Sequence, residues 1–148
     1  GIPEVKCYLN GVQIPHVVSL RTLLVKALGV MFSVSAGLPC GKEGPMIHSG
    51  ACIAKLLSKA GVLPLLQAYR MDIETRDFVA AGASSGVAAA FGAPIGGVLF
   101  AVEEGASFFT HIILLRCFVC CTAATLVTHF FISGIDGDTA WGYMGAQD

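Results

Sequence analysis

Charge is what this chain is shortest of: Asp, Glu, Lys and Arg make up 13% of its 148 residues, against roughly 25% in an ordinary soluble domain. A net charge of −1 and the lack of any basic block remove the usual grounds for nucleic-acid binding. No Gly-x-Ser-x-Gly elbow and no His-Glu-x-x-His pair occurs, so the commoner hydrolase signatures are missing. The chain opens at Gly1 with neither an initiator methionine nor a signal-type leading region, and is expected to be an excerpt of a longer protein. Of the six cysteines, Cys117 and Cys120 have redox-motif spacing, but no second Cys pair or Cys/His cluster completes a zinc site. They lie in an apolar run and are expected to be small packing residues. His111 and His129 take the same reading.

Apolar residues fill the space that charge leaves. Hydrophobic residues reach 55%, with 18 glycines besides, and the mean hydropathy is +0.74. Those features point to an all-α, polytopic membrane protein. Residues 1–16 read as a short helix or turn and then a loop. Val17 to Leu38 is long enough to be a first membrane helix, with Arg21 and Lys26 near its start, ending at Gly37-Leu38-Pro39. A second helix is expected from Pro45, with Lys55 and Lys59 reaching to a membrane–water boundary at its far end.

Residues 61–77 form the one strongly polar stretch and read as a water-exposed connection, a solvated loop that is partly helical at Met71–Asp77. Phe78 to Phe91 is a helix of small residues, with Gly82 and Gly86 spaced for close helix contact. Gly92-Ala93-Pro94 breaks it, and Pro94 opens a short helix through Val102. Short helices broken by Gly and Pro are typical of transporter folds, where irregular backbone lines a site. Ser107 to Ser133 is a last apolar helix of about 40 Å, tilted or kinked in a bilayer of about 30 Å. Arg116 lies within it and calls for a structural partner such as a carboxylate. The tail from Asp136 is polar and glycine-rich and lacks the ligand pattern of a calcium loop.

Two acidic positions stand out against this background. Glu43, in Gly41-Lys42-Glu43-Gly44-Pro45, falls just ahead of a helix N-terminus, where free N–H groups and the dipole favour an anion. Counting back from Lys55 at 1.5 Å per residue lifts Glu43 about 18 Å from the boundary, near the middle of a core about 30 Å thick. Glu103 and Glu104 fall at a helix C-terminus among apolar residues, where the dipole, their mutual repulsion and desolvation all favour a neutral acid. Acids pushed apart in this way can divide roles. A permeating anion and the Glu43 carboxylate would compete for the same N–H groups, so protonating Glu43 would release the site and link proton to anion movement. On periodicity alone, a plain helix cap at Glu43 and headgroup-exposed Glu103 and Glu104 remain open. A phosphate loop does not fit, because Gly37 stands one position too close to Gly41 and Glu43 follows the lysine. An intramembrane enzyme is disfavoured, since no nucleophile or complete metal site accompanies the carboxylates.

Gly1-Ile2-Pro3, Gly41-Lys42-Glu43-Gly44-Pro45, and Gly92 to Phe100 running into Glu103-Glu104 resemble, in order and spacing, the CLC chloride channels and chloride/proton exchangers. The longer stretches 41–48 and 103–108 resemble the lysosomal and endosomal branch. The resemblance implies that residues 1–148 are a partial CLC transmembrane domain, most of the first of two inverted repeats. The second repeat and the cytoplasmic CBS domains would lie beyond Asp148, and the serine at the central chloride before Gly1. It implies that Glu43 is the gating glutamate, Glu104 the internal proton glutamate that exchangers carry, and Glu103 an aid to proton entry. Backbone at Gly1, Ile2, Lys42 and Gly44 would help bind the anion. It further implies coupled exchange of two anions for one proton, with a passive channel as the alternative, and chloride and protons as substrates without a cofactor. A homodimer in a lysosomal, endosomal or vacuolar bilayer is implied, its interface mainly the short helix after Pro94 and part of residues 112–128; an accessory subunit stays open.

Overall fold

The computed structural model describes residues 2–12, 14, 16–60, 72–105 and 110–136, and among these every regular element is helical. In chain order they are α1 (Ile2–Leu9), α2 (Leu20–Ser35), α3 (Glu43–Ala60), α4 (Asp72–Phe91), α5 (Pro94–Phe100), a π-helical turn (Ala101–Gly105) and α6 (His111–Asp136). The polar connection 61–71, the Ser107-Phe108-Phe109 stretch and the glycine-rich tail lie outside the described residues.

Local chemistry sets the boundaries. Ser19 caps α2 by accepting from the Thr22 N–H at 3.4 Å. At the other end Gly37, at φ +74°, closes a Schellman-type turn in which the Leu38 N–H reaches the Ser33 carbonyl at 3.2 Å. These two stops hold α2 to 16 residues, about 24 Å. The Val17 to Leu38 segment is therefore not a full-span helix by itself, because its ends go into a cap and a turn. The opposite correction applies to the next small-residue helix. It starts at Asp72 instead of Phe78 and runs for 20 residues, about 30 Å, because the polar residues 72–77 continue its first turns. Gly92, at φ +64°, ends it, the Ala93 N–H returns to the Ala88 carbonyl at 3.2 Å, and Pro94 opens α5.

Glycine lets α3 and α4 touch backbone to backbone. A Cβ on Gly50 would collide with the Gly82 carbonyl, and one on Gly86 would stand 2.6 Å from the Met46 carbonyl oxygen. The pairings Gly50–Gly82 and Met46–Gly86 make the two helices antiparallel. α5 folds back along α4, with Gly97 against the Ser84 carbonyl and Cys121 Sγ, and Ala101 packing with Ala81. α6 runs beside α4, and Cys117 and Cys121 are fully buried there while Cys120 is exposed. Packing thus accounts for Cys117 and not for Cys120, whose side chain points off the α4–α5 face.

The buried centre joins Val5 and Leu9 of α1 to Ile47 and Ala51 of α3 and to Val79, Ala83 and Val87 of α4. Outside it the surface is strongly apolar. No residue of α2 is buried, and Val25, Met31 and Phe32 on it are exposed, as are Leu115, Val119 and Phe131 on α6. α6 is long and apolar enough to cross a membrane, and only 22% of its most apolar window is buried. A core helix of a soluble domain would be covered; this one offers its greasy face to lipid or to further protein. Within it Thr122, Thr125 and Thr128 return their hydroxyls to the Phe118, Cys121 and Ala124 carbonyls, so none is left unbonded in an apolar setting.

Replacing Gly86 by Val forces α3 away from α4. In the full-length protein this variant is expected to lose about 1–3 kcal/mol of stability, seen as a lower thermal unfolding midpoint in detergent, whereas Gly29→Ala, with open space around its Cβ, leaves the midpoint unchanged.

Candidate functional site

Glu43 is the first residue of α3 and lies inside its first turn. The helix therefore begins at Glu43, ahead of Pro45, because the Lys42 carbonyl already accepts from the Met46 N–H at 3.1 Å. Pro45 still falls among the leading residues whose N–H groups have no partner in the helix. The glutamate is half-buried, and its carboxylate folds back over Gly41, where a Cβ on residue 41 would meet Glu43 Oε2. A negative oxygen thus sits in front of the positive end of α3. Lys42 is exposed, and with Pro45, Met46, Ser49 and Ala89 it lines a groove of about 490 Å³ beside that end.

A second helix N-terminus faces the same way. Glu4 Oε2 of α1 lies 3.8 Å from His48 Nδ1 of α3, and four residues further along α1 the Tyr8 ring lies 4.4 Å beneath Lys55 Nζ. Both contacts advance together along the two helices, so α1 and α3 are parallel and their positive ends lie on one side. Ile2 is half-buried against the core, and Gly1 lies outside the described residues.

The other acidic position lies far from Glu43. Register along α4 measures the separation: Met46 meets Gly86, which brings Glu43 level with Ala89, while Ala101 meets Ala81, which brings Glu104 level with Phe78. Those levels differ by about eleven residues, or ~16 Å along α4. Glu103 is exposed in the π-turn, and the Glu104 side chain lies outside the described residues. The π-turn packs against α1, α4 and α6, and π-turns recur at functional sites because they push backbone groups out of the helical ladder. At the same level Arg116 Nη1 stands 3.8 Å from Asp77 Oδ2, with its guanidinium 5.6 Å from the Phe78 ring centre. That carboxylate is the structural partner its apolar helix demanded. Among the described residues no group of three or more His, Cys, Asp or Glu side chains could hold a metal.

The family profile described as voltage gated chloride channel matches residues 1–137. The chain belongs to the CLC family. Relatives include H(+)/Cl(-) exchange transporter 7 of Bos taurus, 51% identical over 147 residues, which covers 95% of this chain and 18% of that protein. The Homo sapiens protein of the same name is 51% identical over 144 residues, covering 93% and 18% respectively. Chloride channel protein D of Dictyostelium discoideum is 49% identical over 131 residues, covering 84% of this chain and 13% of the relative. The chain thus spans less than a fifth of the length of these relatives. As a member of the CLC family it is part of an integral membrane protein.

Sequence reasoning missed one group of side chains at the site. Lys26, His48 and Glu4 come together behind the two helix N-termini. The signal was present in Lys26, whose ammonium, well inside a largely apolar helix, needs a partner when it lies at membrane depth.

Gly41→Ala tests the position of the Glu43 carboxylate. Gly41 lacks a positive φ, so alanine fits its backbone and the added methyl displaces only the flexible end of Glu43. The full-length variant is expected to fold normally and, where the protein carries anions, to do so with a weaker dependence on pH; a wild-type pH profile would show that the carboxylate does not work from over Gly41.

Proposed function

We propose that this chain is the gate-bearing part of a membrane exchanger that moves chloride against protons. The observation that carries the reading is the Glu43 carboxylate lying over Gly41 at the positive end of α3, with α1 directing its own positive end to the same side. An arriving chloride meets the same N–H groups and competes with a tethered anion of equal charge. Protonation of Glu43 removes that competitor, so proton binding and anion binding are linked. Backbone at Lys42, Gly44, Gly1 and Ile2 supplies the donors, and chloride needs no cofactor. No enzymatic chemistry is invoked.

Glu104 is the residue that, by resemblance, exchangers carry and channels replace, and Glu103 assists proton entry beside it. The relatives named H(+)/Cl(-) exchange transporter 7 support coupling on the same side. Across ~16 Å a proton needs intermediate carriers, so the two glutamates exchange protons through water or side chains and not by contact. Lysosomal or endosomal membranes are the assigned setting, on the strength of the stretches 41–48 and 103–108. A homodimer is assigned through α5 and part of α6, supported by exposed Ile95, Leu99, Ile112 and Leu115 on those helices. The second reading, a passive chloride channel, is favoured only by the name of relatives such as chloride channel protein D.

In the full-length protein, Glu104→Ala is expected to abolish proton movement while chloride flux continues, and Glu43→Ala to abolish both proton coupling and the pH dependence of chloride flux. Parallel chloride and proton measurements on reconstituted protein read both outcomes. Undiminished proton flux in Glu104→Ala would remove that residue from the pathway.

A further inference from the structure

His48 is 1% exposed and makes a set of polar contacts that neither the gate nor the inner glutamates explain. Its Nε2–H donates to the Val17 carbonyl at 2.8 Å, in the segment leading into α2, and its Nδ1 accepts from Lys26 Nζ of α2 at 2.5 Å. A carbonyl can only accept and an ammonium can only donate, so the two partners hold the ring as the neutral Nε2–H tautomer. Cys52, one turn along α3, approaches the same Val17 carbonyl at 4.0 Å. Glu4 of α1 faces Nδ1 at 3.8 Å from a side chain that is 52% exposed. On the α4 side, α3 meets glycines at this level, Gly82 and Gly86. Among the described residues, the charged groups around the ring are therefore Lys26 and Glu4.

Lys26 is half-buried on a helix with no buried residue. A lysine in that setting ordinarily extends along the apolar surface to reach water. Here the lone pair of His48 draws its ammonium inward against α3, five residues from Glu43, a rise of about 7.5 Å. Because α1 and α3 point their N-termini to one side, the ammonium sits behind both positive ends and adds a full charge to two half-charges.

We propose that His48 is a positioning residue of the anion pathway: by accepting the Lys26 ammonium it fixes a positive charge behind the paired N-termini of α1 and α3, where that charge strengthens binding of both the Glu43 carboxylate and the chloride that competes with it. The proposal rests on the exchange reading above. At a distance of about 10 Å and an effective dielectric of about 20, a unit charge changes anion affinity by roughly tenfold. Glu4, being solvated, offsets part of this, so a three- to tenfold effect is expected.

The test uses the full-length protein in proteoliposomes, with chloride uptake measured against chloride concentration at several pH values. His48→Phe and Lys26→Met are each expected to weaken apparent chloride affinity three- to tenfold. Both are expected to move the pH of half-maximal flux upward, since Glu43 protonates more readily without the nearby charge. The double variant is expected to be no worse than either single one, and His48→Gln, which keeps an acceptor for Lys26, to recover most of the affinity. A His48→Phe protein with wild-type chloride and pH dependence, or a double variant whose effects multiply, would overturn the proposal. If His48→Phe does not fold, His48→Asn, too short to reach Lys26, takes its place, and wild-type behaviour there is equally contradictory. Wild-type protein with no coupled flux would instead contradict the exchange reading, so the two failures are distinct.

Discussion

The backbone contact between α3 and α4 is the constraint on which the other positions depend. Gly50, Gly82 and Gly86 bring two helices close enough that no side chain separates them, and lipid offers no hydrophobic gain that would otherwise drive them together. That contact fixes the register of α3 on α4, and hence the level of Glu43. The fold-back at Gly92-Ala93-Pro94 fixes the register of α5 on the same helix, and hence the level of the π-turn carrying Glu103 and Glu104. α4 is therefore the common ruler for both acidic positions, though it supplies neither.

Three charged side chains on these helices are handled by local partners instead of by solvent. Arg116 on α6 meets Asp77 and the Phe78 face, Lys26 on α2 meets His48, and Glu43 folds onto the start of its own helix. Each arrangement uses a different device, respectively an ion pair, a neutral acceptor and a helix dipole. Breaking one of the first two leaves an unpaired charge at membrane depth, which is costly. Moving the Glu43 carboxylate leaves only the first backbone N–H groups of α3 behind, and on the proposed reading these are what another anion takes.

Much of this was legible in the residues. Gly92 and Pro94 marked a helix break, and Arg116 announced its need for a polar partner. The motif at 41–45 singled out Glu43 as a candidate without any coordinates. Boundaries were harder, because a hydropathy run does not register where a Ser19 cap or a Gly37 turn ends the ladder, so α2 came out shorter than its apolar stretch. α4 came out longer, since polar residues 72–77, read as a partly helical connection, run into it without a break. The ~16 Å between the two glutamate levels depends on the α3–α4 and α4–α5 registers, which come from glycine contacts between segments distant in sequence. His48 was hidden for the same reason: its partners are Val17, Lys26 and Glu4, and no spacing along the chain links them.

On the proposed reading Glu43 is a tethered anion whose protonation yields its place to chloride. Simultaneous recording of chloride and proton fluxes through the full-length wild-type protein in proteoliposomes tests it most directly. An imposed chloride gradient is predicted to drive protons in the opposite direction, against their own gradient. Chloride flux that leaves the proton gradient untouched would contradict it.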